Sequence, residues 1–139
     1  MHAVEWMAIV LGTVAVVDDL RRCTISNWAT AAGVAAGLMW HGWMAGTTGV
    51  MLALLGTIVG FGVFLVFYLA GGMGGGDLKL MAAFGALLGP RLILAASVLA
   101  AIAGGLIALT VLVCRRQTRS IPYAPAIVLG SWLALWGQR

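Results

Sequence analysis

Four acidic side chains, Glu5, Asp18, Asp19 and Asp77, are present in the chain, and the three aspartates adjoin its most polar motifs. An aspartate in or near lipid costs up to about 2.5–3.5 kcal/mol at a helix centre, so it persists where it is paired, hydrated or functional. Two carboxyl groups held a few ångströms apart resist ionising together and share one proton. The ionised member can take a proton from water while the protonated member donates to a carbonyl oxygen. That is amide hydrolysis with neither a metal nor a side-chain nucleophile. The two titrations belong to the pair, so base and acid are not assigned separately. Asp77 follows Gly71-Gly72-Met73-Gly74-Gly75-Gly76, five glycines in six positions. Each glycine in a helix interior costs about 1 kcal/mol relative to alanine. The stretch is therefore expected as an opened backbone lining a cavity, with room for an extended peptide to approach.

Other chemistries find less support. Cys23 and Cys114 form no CxxC and have no nearby histidine, so neither a redox pair nor a thiol nucleophile is indicated. His2 and His41 have no ligand-spaced neighbours, and no metal or other cofactor is expected. Most basic residues fall in two clusters, Arg21-Arg22 and Arg115-Arg116-Gln117-Thr118-Arg119. A nucleic-acid partner is not expected, because these clusters form no basic face on a soluble module.

The elements that must position the acids are apolar. Of 139 residues, 63% are hydrophobic and 9% charged, with a mean hydropathy of +1.08. A soluble domain carries about 25% charged residues, so the composition predicts a membrane protein. Glycine, at 20 residues, suits helices packed closely in lipid. Apolar runs occur near residues 4–17, 28–45, 50–70, 78–88, 92–114 and 124–136. The run at 78–88 is short enough for a half-span, or could extend through the glycine stretch before it. The first run lacks a basic leader and a clear cleavage site, so it reads as a retained span. With the N-terminus outside and six crossings, Arg21, Arg22, Lys79, Arg115, Arg116 and Arg119 are cytoplasmic, and Arg91 and Arg139 are outside. That agrees with the positive-inside rule. The same map puts Asp18, Asp19 and Asp77 at cytoplasmic ends of spans, and Trp40 and Trp43 near an outer end. The expectation is an all-α, polytopic transmembrane bundle of about six spans, one domain over residues 1–139, in contact with membrane lipid.

These residues also resemble a family. Gly74-Gly75-Gly76-Asp77-Leu78-Lys79 is similar to the GxGD motif of membrane aspartic peptidases, in the G-x-G-D-x-K form of type IV prepilin peptidases. Asp19-Leu20-Arg21-Arg22-Cys23-Thr24-Ile25-Ser26-Asn27 resembles that family's first catalytic segment, an Asp followed by a basic stretch and Ile-Pro-Asn. Ile121-Pro122-Tyr123-Ala124-Pro125-Ala126 resembles its late segment at the start of the last span. The three occur in the family's order. The resemblance implies cleavage of a prepilin or pseudopilin leader at the cytoplasmic face of the bacterial inner membrane. It implies Asp19 and Asp77 as the catalytic pair, with Asp18, Gly74, Gly76, Lys79 and Asn27 binding substrate or supporting them. The chain has no domain with paired CxxC motifs, and so resembles the short form that serves small tight-adherence (Flp-like) pilins. Two departures stand out. Ser26 occupies the usual proline position, and Asp18 is a second candidate beside Asp19, although alignment through Ile25 and Asn27 favours Asp19. Neighbours on a helix point about 100° apart, so the two cannot face one partner equally. Lys79 reads either as a headgroup anchor or as a substrate or structural contact. Pro122 and Pro125 suit the first turn of a helix. A non-enzymatic transporter or pilus-assembly subunit, with the aspartates as a proton or cation relay, is the alternative. Its marker would be acids on broken helices at mid-bilayer.

Overall fold

The computed structural model describes residues 2–22, 24–113 and 123–137, and these fold into helices with short connections. Cys23, Cys114, the cluster Arg115 to Arg119, the Ile121-Pro122 pair and Arg139 lie outside the described residues. Four helices follow in order: α1 (His2–Arg22), α2 (Asn27–Leu69), α3 (Gly75–Val113) and α4 (Ala124–Trp136). α2 and the stretch of α3 to Ile107 are long and apolar enough to cross a membrane.

α2 and α3 are each two helical segments joined at a backbone break. In α2 the break is at Ala45 (φ −136°) and Gly46 (φ +59°). In α3 it is at Gly89 (φ +77°), before Pro90. A positive φ falls to glycine at no steric cost. Proline disfavours helical geometry in the residue before it and suits the first turn of the next helical segment. The six helical segments that result coincide in place with the six apolar runs. The turn between residues 44 and 47 is tighter than the sequence led us to expect, because two residues suffice to reverse the chain.

Contacts give each segment's direction. Cβ atoms built on Gly33 and Gly37 would meet Ala83 and Ala86, whereas those on Gly56 and Gly60 would meet Gly85 and Met81. The halves of α2 therefore run in opposite directions along the first half of α3. On α4, Gly130 faces Ala96 and Ala100 of α3, while Tyr123 and Ala126 lie against Gly104. α4 is thus antiparallel to the second half of α3. It is also antiparallel to α1, since Trp132 Nε1 donates to the Ala8 carbonyl at 3.2 Å and Val128 crowds Gly12.

Residues 75–88 form the centre of this bundle. From Asp77 to Gly89 every residue but Lys79 is buried, including Leu80, Met81, Phe84 and Leu87. A segment apolar all round is what a helix enclosed by other helices requires. Close approach makes the enclosure possible: a Cβ on Gly56 would stand 2.0 Å from the Gly85 carbonyl oxygen. At the break, the His41 ring donates through Nε2 to the Leu87 carbonyl at 3.0 Å. It supplies the donor that the interrupted helix cannot.

Candidate active site

Asp77 owes its place to the start of α3. Gly71, at φ +75°, turns the chain out of α2, and Gly72 N–H closes that turn onto the Phe67 carbonyl at 3.0 Å. Gly71 to Gly74 are non-helical, as the glycine content predicts, but Gly75 and Gly76 already belong to α3. The opened backbone is therefore shorter than expected. Helix formation prevails over glycine's low propensity here because Gly76 faces Ile25, whose N and Cβ a Cβ on Gly76 would approach to 3.3 Å. Asp77, third in the helix, reaches back and accepts a hydrogen bond from the Gly74 N–H. That is one half of a capping box, and it sets a carboxyl group near the positive end of a helix.

Asp19 is brought in from the end of α1. It lies beyond the apolar run of that helix, yet it is only 7% exposed, as is Asp77. Its Oδ2 accepts the Ala124 N–H at 3.2 Å. The first amides of a helix have no partner within it, and α4 directs one of them at Asp19. Burial pushes the Asp19 carboxyl above the ordinary carboxylate range, and the Ala124 hydrogen bond offsets part of that rise. Tyr123 precedes α4 and Pro125 lies in its first turn, which is where the sequence places it.

Asp19 and Asp77 both line one open cavity of about 430 Å³ and are close enough to interact electrostatically. Thr24, Ile25, Asn27, the glycines 74–76 and Lys79 complete its wall. Of the anticipated supporting residues, Gly74, Gly76, Asn27 and Lys79 thus share the aspartates' cavity. The Lys79 ammonium donates to Asn27 Oδ1 at 2.9 Å. Asp18 is not part of the cavity wall: its Oδ2 accepts the Ser26 hydroxyl at 2.5 Å. Sequence reasoning missed the Ala124 amide, since a backbone donor leaves no mark on side-chain identity. The prolines flanking Tyr123-Ala124 were the available sign of a helix start there. Among the described residues no group of three or more His, Cys, Asp or Glu side chains is placed to hold a metal ion.

Beside this cavity lies an apolar one of about 220 Å³, bounded by Phe64, Phe67, Met73, Tyr123 and Ile127. Gly72 and Met73 lead directly into the glycines of the aspartate cavity, and Tyr123 precedes the amide that binds Asp19. The two spaces are therefore neighbours.

Comparison with known proteins places the chain. A sequence profile of the type IV leader peptidase family matches residues 6–109. The chain belongs to the type IV leader peptidase family. It is 44% identical over 91 residues to the prepilin leader peptidase/N-methyltransferase of Bacillus subtilis (strain 168), covering 61% of this chain and 36% of that protein. To the protein of the same description from Aeromonas salmonicida (strain A449) it is 38% identical over 98 residues, with 62% of this chain and 33% of the relative covered. Against that from Aeromonas hydrophila it is 34% identical over 117 residues, with 73% and 40% covered. The chain thus spans well under half the length of these curated relatives. No solved structure matches it.

Proposed function

We propose that this chain is an aspartic endopeptidase that removes the leader of type IV prepilins at the cytoplasmic face of the inner membrane. The observation that carries the reading is that Asp19 and Asp77, far apart in sequence, are both buried and line one open cavity. Family membership supports the choice of substrate. The narrower expectation is a small prepilin of the tight-adherence class.

In this reading the chain is a single membrane domain that crosses six times with its N-terminus outside. The alternation of segment directions supports it, as does the mass of apolar side chains on the outer surface, among them Trp6, Ile58, Val66, Ile102 and Leu133. The central segment, residues 75–88, spans about 21 Å at 1.5 Å per residue, against about 30 Å of hydrocarbon. Being enclosed by protein, it need not match the lipid. Its start, with Asp77, can therefore lie below the membrane surface in a cavity open to water.

Catalysis follows from the pair. A prepilin leader enters extended along Gly74 to Gly76, with its scissile carbonyl between the two carboxyl groups. The ionised carboxylate accepts a proton from water as the water oxygen attacks the carbonyl carbon, and the other carboxyl donates its proton to the carbonyl oxygen. When the tetrahedral adduct collapses, the C–N bond breaks as the leaving nitrogen takes the proton from the protonated carboxyl, and a hydroxyl of the adduct returns its proton to the ionised carboxylate, so the pair again holds one proton. The Ala124 and Gly74 amides hold the two carboxyl groups in orientation, and the Lys79–Asn27 bond ties the start of α2 to the helix carrying Asp77. The adjoining apolar cavity suits a hydrophobic residue flanking the cut. The test is to reconstitute the chain in lipid nanodiscs with a prepilin and sequence the products. One defined cut after the basic leader is expected. An intact prepilin, with proton flux in liposomes that Asp77→Asn abolishes, would instead support the relay.

A further inference from the structure

Three consecutive residues after α1 contact two different helices in alternation. Ile25 is buried against Gly76 of α3, and Asn27 receives the Lys79 ammonium, also of α3. Between them Ser26 faces the other way, and its hydroxyl donates to Asp18 Oδ2 at 2.5 Å. The segment is extended at Ser26 (φ −63°, ψ 128°), just before the chain enters α2 at Asn27. It is gripped from α3 by its first and third members and from α1 by its second. Asp19 lies in the last turn of α1 and Asp77 in the first turn of α3, so this short segment lies between the helix ends that carry the two carboxyl groups.

Ser26 is also the N-cap of α2. A serine there ordinarily turns its hydroxyl onto an amide of the first turn. Here it makes no such cap, and the donor is committed to Asp18 instead. The separation falls in the range of about 2.5–2.7 Å for a hydroxyl donating to a carboxylate, a bond roughly twice as strong as a neutral one. Asp18, about 100° round α1 from Asp19, holds the segment while its neighbour faces the cavity.

We infer that Asp18 and Ser26 are a positioning pair: their bond anchors the segment to α1 and so sets the approach of Asp19 to Asp77. Asp18 itself touches neither substrate nor water in the reaction. The inference rests on the peptidase reading above. In nanodiscs with a prepilin, Asp18→Ala and Ser26→Ala should each lower kcat about ten-fold, the loss of one charge-assisted hydrogen bond, with KM nearly unchanged. The double variant should lose no more than either single one. Asp18→Asn keeps an acceptor oxygen and should stay within about three-fold of the parent. Proline requires the φ that Ser26 already has, so Ser26→Pro should fix the segment covalently and recover most of the activity lost in Asp18→Ala. An Asp18→Asn variant as inactive as Asp77→Asn would place Asp18 in the reacting pair and overturn the inference. So would an unimpaired Asp18→Ala, or an Asp18→Ala that Ser26→Pro leaves unrecovered. If the parent chain cuts no prepilin, the peptidase reading fails, but the anchor still has its own readout. Amide hydrogen exchange at residues 24–27 should quicken in Asp18→Ala, and unchanged exchange would refute the anchor. Should Asp18→Ala not fold, Asp18→Asn and Ser26→Pro decide the matter.

Discussion

A carboxyl group buried in a mostly apolar bundle is expensive, and this chain keeps two of them within reach of each other. Each is offered one backbone amide, Asp19 that of Ala124 and Asp77 that of Gly74. One donor apiece orients a carboxyl group but leaves its other oxygen for water or substrate. Such a pair works with one proton between its members, so cleavage should show a bell-shaped dependence on pH. Above the upper limb both groups are ionised and no acid remains; below the lower limb both are protonated and no base remains. Burial raises Asp19, so activity should persist above the ordinary carboxylate range. A rate that stays flat from acid to neutral pH would contradict this. The Lys79–Asn27 contact is a second prediction at this scale. Lys79→Met should lower kcat about ten-fold through loss of a charge-assisted bond while leaving thermal stability in detergent unchanged. A stability loss of equal size would instead make the bond a structural one.

Among the elements, the breaks decide the architecture. Gly46 and Gly89, both at positive φ, convert two long helices into four segments and leave residues 75–88 enclosed. His41→Ala should strand the Leu87 carbonyl at the second break and cost about 1–3 kcal/mol, read as a lower unfolding midpoint in mild detergent. Gly56→Val should do more, at least about 3 kcal/mol, because its Cβ would meet a backbone carbonyl that cannot move aside. The six runs were legible because apolar length is a strong signal. Three features were not legible. The tight turn at 44–47 depends on how closely two faces can pack. The helical state of Gly75 and Gly76 depends on Ile25 lying against them. The pairing of Asp18 with Ser26 depends on the path of the chain between α1 and α2. All three are tertiary effects that override local propensity. The candidate site was legible at Asp19 and Asp77 through residue type and motif, but the amides that hold them belong to backbone geometry.

The whole molecule solves its polar accounting as a protein in lipid must. The hydroxyls of Thr13, Thr57, Ser97, Thr110 and Ser131 each donate to the carbonyl four residues earlier, at 2.6 to 2.9 Å. Among the described residues no buried side-chain nitrogen or oxygen lacks a partner. Hydroxyls satisfied within their own helix can face an apolar surrounding without penalty. With the outer surface left to apolar side chains, polarity gathers at one end, where both aspartates, Asn27 and Lys79 meet. The proposed topology makes that end cytoplasmic. In a variant lacking Cys23 and Cys114, a cysteine at Arg91 should react with an impermeant maleimide added outside intact cells. A cysteine at Arg21 should react only after the membrane is opened. The reverse pattern would invert the protein and move the site to the other face.

All of this depends on both carboxyl groups acting in one step. The most direct measurement is the single-turnover cleavage rate of a prepilin in nanodiscs for Asp19→Asn, Asp77→Asn and the double variant. Each single change should lower the rate about a thousand-fold or more, the double change should be no worse, and helix content by circular dichroism should be unchanged in all three. A single variant that cleaves at the parent rate would contradict the paired role of the carboxyl groups.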